Sequence, residues 1–407
     1  MIMAENKNEK ECNVPHLRFP EFSGEWEIYP LTDFMSFKNG MNPDAKRFGR
    51  GTKFISVMDI LNNQFICYDN IRASVEVVDG DIETYGVNYG DILFQRSSET
   101  LEDVGQANVY LDSKPAVFGG FVIRGKSKSN YYPMFFRYLL ASPTARKKII
   151  VKGAGAQHFN IGQDGLSKVC LNIPSIQEQE KIAKLFECID TRIATQNKII
   201  EDLKKLKSAI SKHLFSQEPN VWNRLDNLFV KGKAGGTPIS TNKEYYNGNI
   251  PFLSINDITR QGKYIWLTEK HISLNGLENS SAWIVPKHSL IMSMYASVGL
   301  VTINQVPIAT SQAMFSMLLR DKSLLDYLYY YLSYFKYRHI HKYLETGTQS
   351  NINADIVSGI MIPDYGYRHN MQIASMLQSI DMKIDNESSI LERYSQQKND
   401  LLSSLFI

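Results

Sequence analysis

The stretch Gln177–Phe215, QEQEKIAKLFECIDTRIATQNKIIEDLKKLKSAISKHLF, decides how this chain is built. Ile182, Leu185, Ile189, Ile199, Leu203, Leu206 and Ile210 recur in alternating steps of three and four, with Arg192, Gln196 and His213 in the remaining slots of the same heptad frame. That spacing predicts one long helix with an apolar seam, the pattern of a coiled coil. Adding 191 to each number lands on Ile373, Met376, Ile380, Ile390, Tyr394 and Leu401, with Lys383, Glu387, Gln397 and Ser404 in the other slots. Both copies end alike, at Leu214-Phe215 and Leu405-Phe406. A long helix that occurs twice points to a duplicated protein.

The flanking segments repeat as well. From Trp26 onward, β-prone runs such as Lys53–Val57, Asp91–Phe94, Ala107–Tyr110 and Phe121–Ile123 alternate with Gly, Asn and Asp turn signals, which predicts a mixed sheet. Met134–Val151 carries helical spacing, with Phe135, Leu139 and Ile149 or Ile150 facing inward, before the turn Gly153-Ala154-Gly155-Ala156. After the first long helix the same order restarts. Trp222 matches Trp26 at an offset of 196, Phe252–Ile258 matches Phe54–Ile60 at 198, Gly299 matches Gly105 at 194, and Gly347-Thr348-Gln349 matches Gly155-Ala156-Gln157 at 192. The expected fold class is α/β of the α+β kind: two pseudo-repeated mixed α/β domains separated by a long antiparallel two-helix coiled coil. The expected boundaries are a tail over 1–20, a first domain over 21–174, a first spacer over 175–216, a second domain over 217–364 and a second spacer over 365–407.

Two single-sided seams cannot stay in water, and a chain that folds back on itself pairs them antiparallel. A helix of about 38 residues is roughly 57 Å long, so the pair acts as a ruler. Arg192 and Gln196 on the first helix are expected to meet Lys383 and Glu387 on the second and to set register at some cost in stability. Ile193, Ile200 and Leu214 are assigned to the outer face, where each could contact a partner or pack against the chain's own globules.

Composition narrows the remaining classes. With 407 residues, 43% hydrophobic and 21% charged, the chain can bury two or three cores. No apolar run approaches the ~20 residues that span a bilayer, and Met1–Glu11 is polar, so a soluble cytoplasmic protein is expected. Cys12, Cys67, Cys170 and Cys188 form no Cys-x-x-Cys pair, so they are read as reduced and structural, with no metal site. A net charge of +3 does not by itself define a nucleic-acid binder. Gly120–Ser127 has the glycine and Gly-Lys-Ser spacing of a phosphate loop, but its interior reads as a strand and no helix opens after it, so nucleotide binding is not expected.

The chain resembles the DNA specificity subunit of type I restriction-modification systems. The resemblance spans Leu17 to Phe406. It rests on the repeat, on Leu17-Arg18-Phe19-Pro20 and Trp26, on Gly235-Gly236-Thr237-Pro238 followed by Tyr245–Phe252 and Ser254–Ile258, and on Ile173-Pro174 leading to Gln177–Ala183. The first domain departs from it, with Lys38–Pro43 in place of the Gly-Gly-Thr-Pro turn, and so does the start of the second spacer, Tyr365-Gly366-Tyr367-Arg368. The resemblance implies two target-recognition domains and no catalytic residues. It also implies two methyltransferase partners using S-adenosylmethionine, and motor-nuclease restriction partners using ATP and Mg, with no cofactor held by this chain. In keeping with that, the sequence has no Asn-Pro-Pro-Tyr, Asp-Pro-Pro-Tyr or His-Glu-x-x-His motif.

Double-stranded DNA recognition needs Arg, Lys, Gln, Asn and hydroxyl groups on loops. In the first domain the candidates are Arg47, Arg50 and Lys53, then Gln95, Arg96, Ser97 and Ser98, then Gln157, His158 and Asn160. In the second they are Lys243, Tyr245 and Tyr246, then Ser293, Tyr295 and Ser297, then Thr348, Gln349 and Asn351. Arg146-Lys147-Lys148 and the basic residues of Lys336–Lys342 are assigned to phosphates or to solubility. The tyrosines of Tyr327–Tyr337 are read as core, because Tyr327, Tyr331 and Tyr334 share one helical face. The rival reading is a bivalent protein-binding scaffold, which random duplex binding that weakens steeply with salt would exclude.

Overall fold

The computed structural model describes residues 13–155, 158–343 and 351–407. They form two compact units, one of residues up to Lys198 with 389–407 and the other of Ile199–Ser388. Each unit combines one globule, the N-terminal half of the long helix that follows it and the C-terminal half of the other long helix.

In unit 1 the central sheet has the order Met35–Asn39, Val122–Ser127, Ile92–Gln95, Ala107–Val109, antiparallel throughout. The strand alternation sorts its side chains between two cores: Ile92 and Phe94 join the helices, and Leu93 joins Ile55, Ile60 and Phe118 on the other face. A second sheet orders Ser74–Val75, Phe48–Ile55 and Val117–Phe118. The helical segment expected over Met134–Val151 is two helices, Pro133–Ala141 and Pro143–Ile150, because Pro143 cannot continue the first and Ser142 caps the second. Val122–Ser127 is a strand, as expected for the interior of the Gly120–Ser127 stretch.

Unit 2 repeats the plan. Its sheet runs Phe229–Ala234, Met314–Leu319, Leu290–Ser293, Val301–Asn304, with Tyr264–Ile265 added in parallel. The best-matched stretch is retained for a local reason: Ser56 and Asp59, and likewise Ser254 and Asp257, form capping boxes that start short helices after strands whose last two residues are buried. Gly40 and Gly235 occupy one structural position, since a Cβ on either would overlap a carbonyl oxygen, that of Gly119 or of Thr310. The unlike turns Lys38–Pro43 and Gly235–Pro238 therefore do one job.

One sequence match is corrected. Glu27–Pro30 pairs with Cys170–Ile173 and Val221–Arg224 with Met361–Asp364, so that Glu27 faces Ile173 and Val221 faces Asp364. Val221 thus stands where Glu27 does, and Trp222 where exposed Ile28 does. Trp26 lies before its strand, buried against Phe135 and Phe406, whereas Trp222 is exposed. The two tryptophans are not counterparts.

The long helices are Ile176–Phe215 and Tyr367–Ser404. In unit 1 Phe186 stacks on Phe406 at 5.8 Å, Asp190 meets Lys398 and Arg192 lies 6.0 Å from the Tyr394 ring, so rising numbers meet falling ones and the pairing is antiparallel. In unit 2 Phe215 and Ile373, Ala374 and Leu377 share one core, and Phe215 packs on Tyr327, Tyr331 and Tyr334. That places the tyrosine face in the core.

The heptad frame is half right. Ile182, Ile189, Gln196, Ile373 and Glu387 are buried, and Leu185, Leu203, Ile210, Ile380, Ile390, Tyr394 and Leu401 are half-buried. Ile199, Leu206 and Met376 are exposed instead. After Ile189, Gln196, Leu203 and Ile210, and after Ile373, Ile380, Glu387, Tyr394 and Leu401, the next covered slot lies four residues on, not three. The slots are therefore Ile193, Ile200, Lys207 and Leu214 on the first helix, and Leu377, Ile384, Leu391, Lys398 and Leu405 on the second. Ile200 is 7% exposed where neighbouring Ile199 is 39%. Isoleucines at 193, 199 and 200 make either phase look apolar. Of the residues assigned to the outer face, Ile200 is buried and Ile193 and Leu214 are half-buried, with Leu214 packed against the unit 2 core as the intramolecular alternative expects.

Candidate nucleic-acid interface

In unit 1 the two later candidate segments come together. Ser97–Ser98 pairs antiparallel with Phe159–Asn160, the Ser97 hydroxyl donates to Asn160 Oδ1, and the Ile161 N–H donates to the Arg96 carbonyl at 2.9 Å. His158 and Asn160 are exposed and Arg96 is half-buried, its Nη1 donating to the Gly120 carbonyl at 3.2 Å. These residues were expected on loops. Ser97, Ser98 and Asn160 lie on short strands instead, which hold them more rigidly. Gln95 is buried at the end of Ile92–Gln95, with Nε2 bonded to the Ser97 carbonyl at 2.9 Å, so it braces this edge and does not face out. Gln157 lies outside the described residues.

The basic segment is already engaged. Arg47 pairs with Asp81 and donates to the Glu76 carbonyl at 2.8 Å, and Lys53 Nζ donates to the Ile71 carbonyl at 2.7 Å. Arg47 closes the helix Ala45–Arg47, and Arg50 and Lys53 lie on Phe48–Ile55, not on a loop. A backbone bond from Val78, then the Arg47 guanidinium, hold the Asp81 carboxyl below its ordinary value. Arg50 pairs with Glu76 at 2.6 Å on the open surface. Arg146 donates to the Glu102 and Val104 carbonyls at 2.8 and 2.6 Å and so braces the loop before Gly105.

In unit 2 the corresponding edge keeps matching backbone bonds but carries different chemistry. The Met294 N–H donates to the Ala313 carbonyl at 2.7 Å as that of Arg96 does to Phe121 at 2.8 Å, and Ile352 donates to the Met294 carbonyl at 3.1 Å as Ile161 does to Arg96. Met294, which is buried, thus stands where Arg96 does. Ser293 is buried too: its hydroxyl donates to the Ser297 carbonyl at 2.8 Å and accepts from Leu300 N at 2.9 Å. It supports the turn that exposes Tyr295 and Ser297, in which Ala296 and Ser297 hold positive φ of 39° and 50°. Such strain in residues with a Cβ persists only where the surroundings enforce it. Asn351 is half-buried beside Ile352; Thr348 and Gln349 lie outside the described residues. Lys243 is exposed, Tyr245 is half-buried, and the Tyr246 hydroxyl is tied to the Pro238 carbonyl at 2.6 Å.

Sequence reasoning missed a constellation that occurs in both units. Asp190 accepts from the Tyr138 hydroxyl at 2.8 Å and from Lys398 Nζ at 2.6 Å; Asp381 accepts from the Tyr330 hydroxyl at 2.8 Å and from Lys207 Nζ at 2.5 Å. In each unit a globule tyrosine, an aspartate of one long helix and a lysine of the other are joined. Burial first, then the carboxylate, push both tyrosine hydroxyls up, so they remain donors. Asp190 and Asp381, and Lys207 and Lys398, stand 191 apart, and applying the repeat offset to charged residues would have exposed them.

A duplicated mixed α/β globule, each copy closed by halves of two antiparallel helices, with a divergent polar edge in each, defines the class of protein. The profile of the type I restriction modification DNA specificity domain matches residues 23–205 and again 219–393, and the chain belongs to that family. A Methanocaldococcus jannaschii protein named for the specificity subunit of the type I restriction enzyme MjaX is 25% identical, over 97% of this chain and 96% of its own. The HindI specificity subunit of Haemophilus influenzae is 23% identical over 76% of this chain and 83% of its own. In fold the chain is similar to the crystal structure of an S subunit from M. genitalium (TM-score 0.56, 14% identity, 97% of this chain and 99% of that one). It is similar also to a chain from a structure of type I R-M complex assembly (TM-score 0.62, 13% identity, 95% and 98%). Among the described residues no helix is long and apolar enough to cross a membrane, and no cluster of three metal-ligating side chains occurs.

Proposed function

We propose that each unit reads one half of an asymmetric, bipartite double-stranded DNA target, and that the long helices set the gap and dock two methyltransferase subunits. The chain is the specificity component, without catalysis of its own. S-adenosylmethionine, ATP and Mg act in the partner subunits, including the restriction subunits where present. The observation that carries the reading is the pair of sheet edges, alike in backbone bonding and unlike in side chains: Arg96, Ser97, His158 and Asn160 in unit 1, and Tyr295, Ser297 and Asn351 in unit 2.

Arg96 suits guanine, and Asn160 suits adenine, by two-point hydrogen bonding in the major groove. Arg50 and Lys243, both exposed, suit phosphates, whose contacts position without specifying. Mapping methylated adenines in cells with and without this gene identifies the target. Arg96→Ala then relaxes one half-site only, by ~1–3 kcal/mol of discrimination, and leaves the other intact. Equal loss in both half-sites, or binding to random duplex that ignores salt, would refute it.

A further inference from the structure

We propose that Phe121 is a base-contacting residue of unit 1 and reads the methyl group of a thymine in its half-site. The inference rests on the reading of unit 1 as a DNA reader and names one chemical group that it recognises.

Phe121 is 69% exposed. Its backbone is not free to turn the ring inward. Its carbonyl accepts from Arg96 N at 2.8 Å, Val122 N donates to the Gly119 carbonyl at 2.9 Å, and Gly119 N donates to the Ile55 carbonyl at 3.0 Å. A Cβ on Gly120 would strike the Asn42 side chain, so this turn is packed down on its neighbour. A large ring held out on a pinned turn is a preorganised contact residue, because nothing need be ordered when its partner arrives.

The occupant follows from what shares the turn. Arg96 bonds through its backbone to Phe121 and through its guanidinium to Gly120, so a guanine-suited group and an apolar ring are presented together. Exposed Phe48 and Met58 line an adjoining open groove of about 390 Å³. In the major groove the thymine methyl is the apolar group that base edges offer. At the matching position in unit 2, Ala313 carries one methyl carbon beside buried Met294, so this contact belongs to one half-site.

The test uses the full chain with its methyltransferase subunits and a duplex bearing the target found by the methylation map. Each thymine of the unit 1 half-site is replaced in turn by deoxyuridine, which removes one methyl group. At one position the wild-type protein should bind about 3- to 5-fold more weakly, the expected effect of one buried methyl. Phe121→Ala should be indifferent to that replacement, and Phe121→Leu should retain the sensitivity. A half-site without thymine, uracil tolerated at every position, or equal losses in wild type and Phe121→Ala would each overturn the inference. Loss of the methyltransferase subunits from Phe121→Ala with DNA discrimination intact would also overturn it, by making the ring a protein contact. If the wild-type protein discriminates between no duplexes, the reading of unit 1 falls as well, and the two failures are thereby told apart.

Discussion

Replacing Lys398 by Met tests whether the Tyr138–Asp190–Lys398 group holds the two helices in register within unit 1. Methionine keeps most of the lysine stem, so packing changes little and the lost charge dominates. Asp190 is about 10% exposed at its side chain and Lys398 27%, so the pair is poorly screened. Losing Nζ leaves the carboxylate with the Tyr138 hydroxyl and with Gln64 Nε2 at a weak 3.4 Å. A charge-assisted bond between groups this enclosed contributes ~1.5–3 kcal/mol, and we expect a loss of about 2 kcal/mol. Asp190→Asn keeps the shape and the tyrosine bond and should cost ~1–2 kcal/mol. The double variant should show coupling of at least ~1 kcal/mol. For scale, the exposed pair Lys184–Glu180 on one helix should contribute far less, because solvent and salt screen it. Urea denaturation followed by near-ultraviolet dichroism, at about 50 mM and 500 mM salt, separates the cases: the enclosed pair should lose little of its effect, the exposed one most of it. Coupling near zero, or a cost for Lys398→Met no greater than for Lys184→Met, would refute the assignment. Lys207→Met should behave in unit 2 as Lys398→Met does in unit 1.

The shifted seam predicts that Ile200→Ala destabilises by ~2–4 kcal/mol while Ile199→Ala stays within ~0.5 kcal/mol, measured by denaturant titration. The reverse ranking would restore the frame read from spacing alone. Gly40→Ala and Gly235→Ala should each cost ~1–3 kcal/mol or more, since backbone must move to admit the methyl group; thermal scans showing no change would contradict the close approach. Burial first, then Lys342, His341 and Arg338, hold the His339 imidazole below its ordinary value. The unfolded chain therefore binds the proton first, and unit 2 should lose stability as pH falls from about 6.5 through the folded value, a loss that His339→Phe removes.

The duplication was legible because apolar spacing and capping signals are local: Ser56 with Asp59 and Ser254 with Asp257 report themselves within four residues. The phase of the seam was not, because isoleucine stands at 193, 199 and 200, and only the partner helix decides which of them is covered. The matched tryptophans misled for a related reason: a two-residue shift along a strand keeps the same face pattern while moving the ring from core to surface. For the candidate interface, Ser97 and Asn160 were read as members of separate segments, and only the fold shows that Ser97–Ser98 pairs with Phe159–Asn160. Ser293 and Gln95 were chosen for their chemistry, but their side chains are consumed by the turns beneath. No residue type announces whether its hydroxyl faces backbone or solvent.

Conservation within the molecule separates the two tasks of such a protein. The bonds that place each edge recur in both units: Gly105 N to Gln95 O and Gly299 N to Ser293 O are each 2.9 Å, and Leu31 N to Val169 O and Leu225 N to Ile360 O are each 2.9 Å. The Tyr–Asp–Lys group recurs with them. What differs is whatever those bonds present: Arg96 against Met294, Phe121 against Ala313, and eight residues between Arg96 and Gly105 against four between Met294 and Gly299. If both units served a structural role only, drift would fall on presenting and placing residues alike. Divergence in the presented side chains above retained backbone bonds is the pattern expected of two readers selected for different bases. It follows that exchanging residues 96–105 for 294–299 should transfer base preference between half-sites without altering the gap.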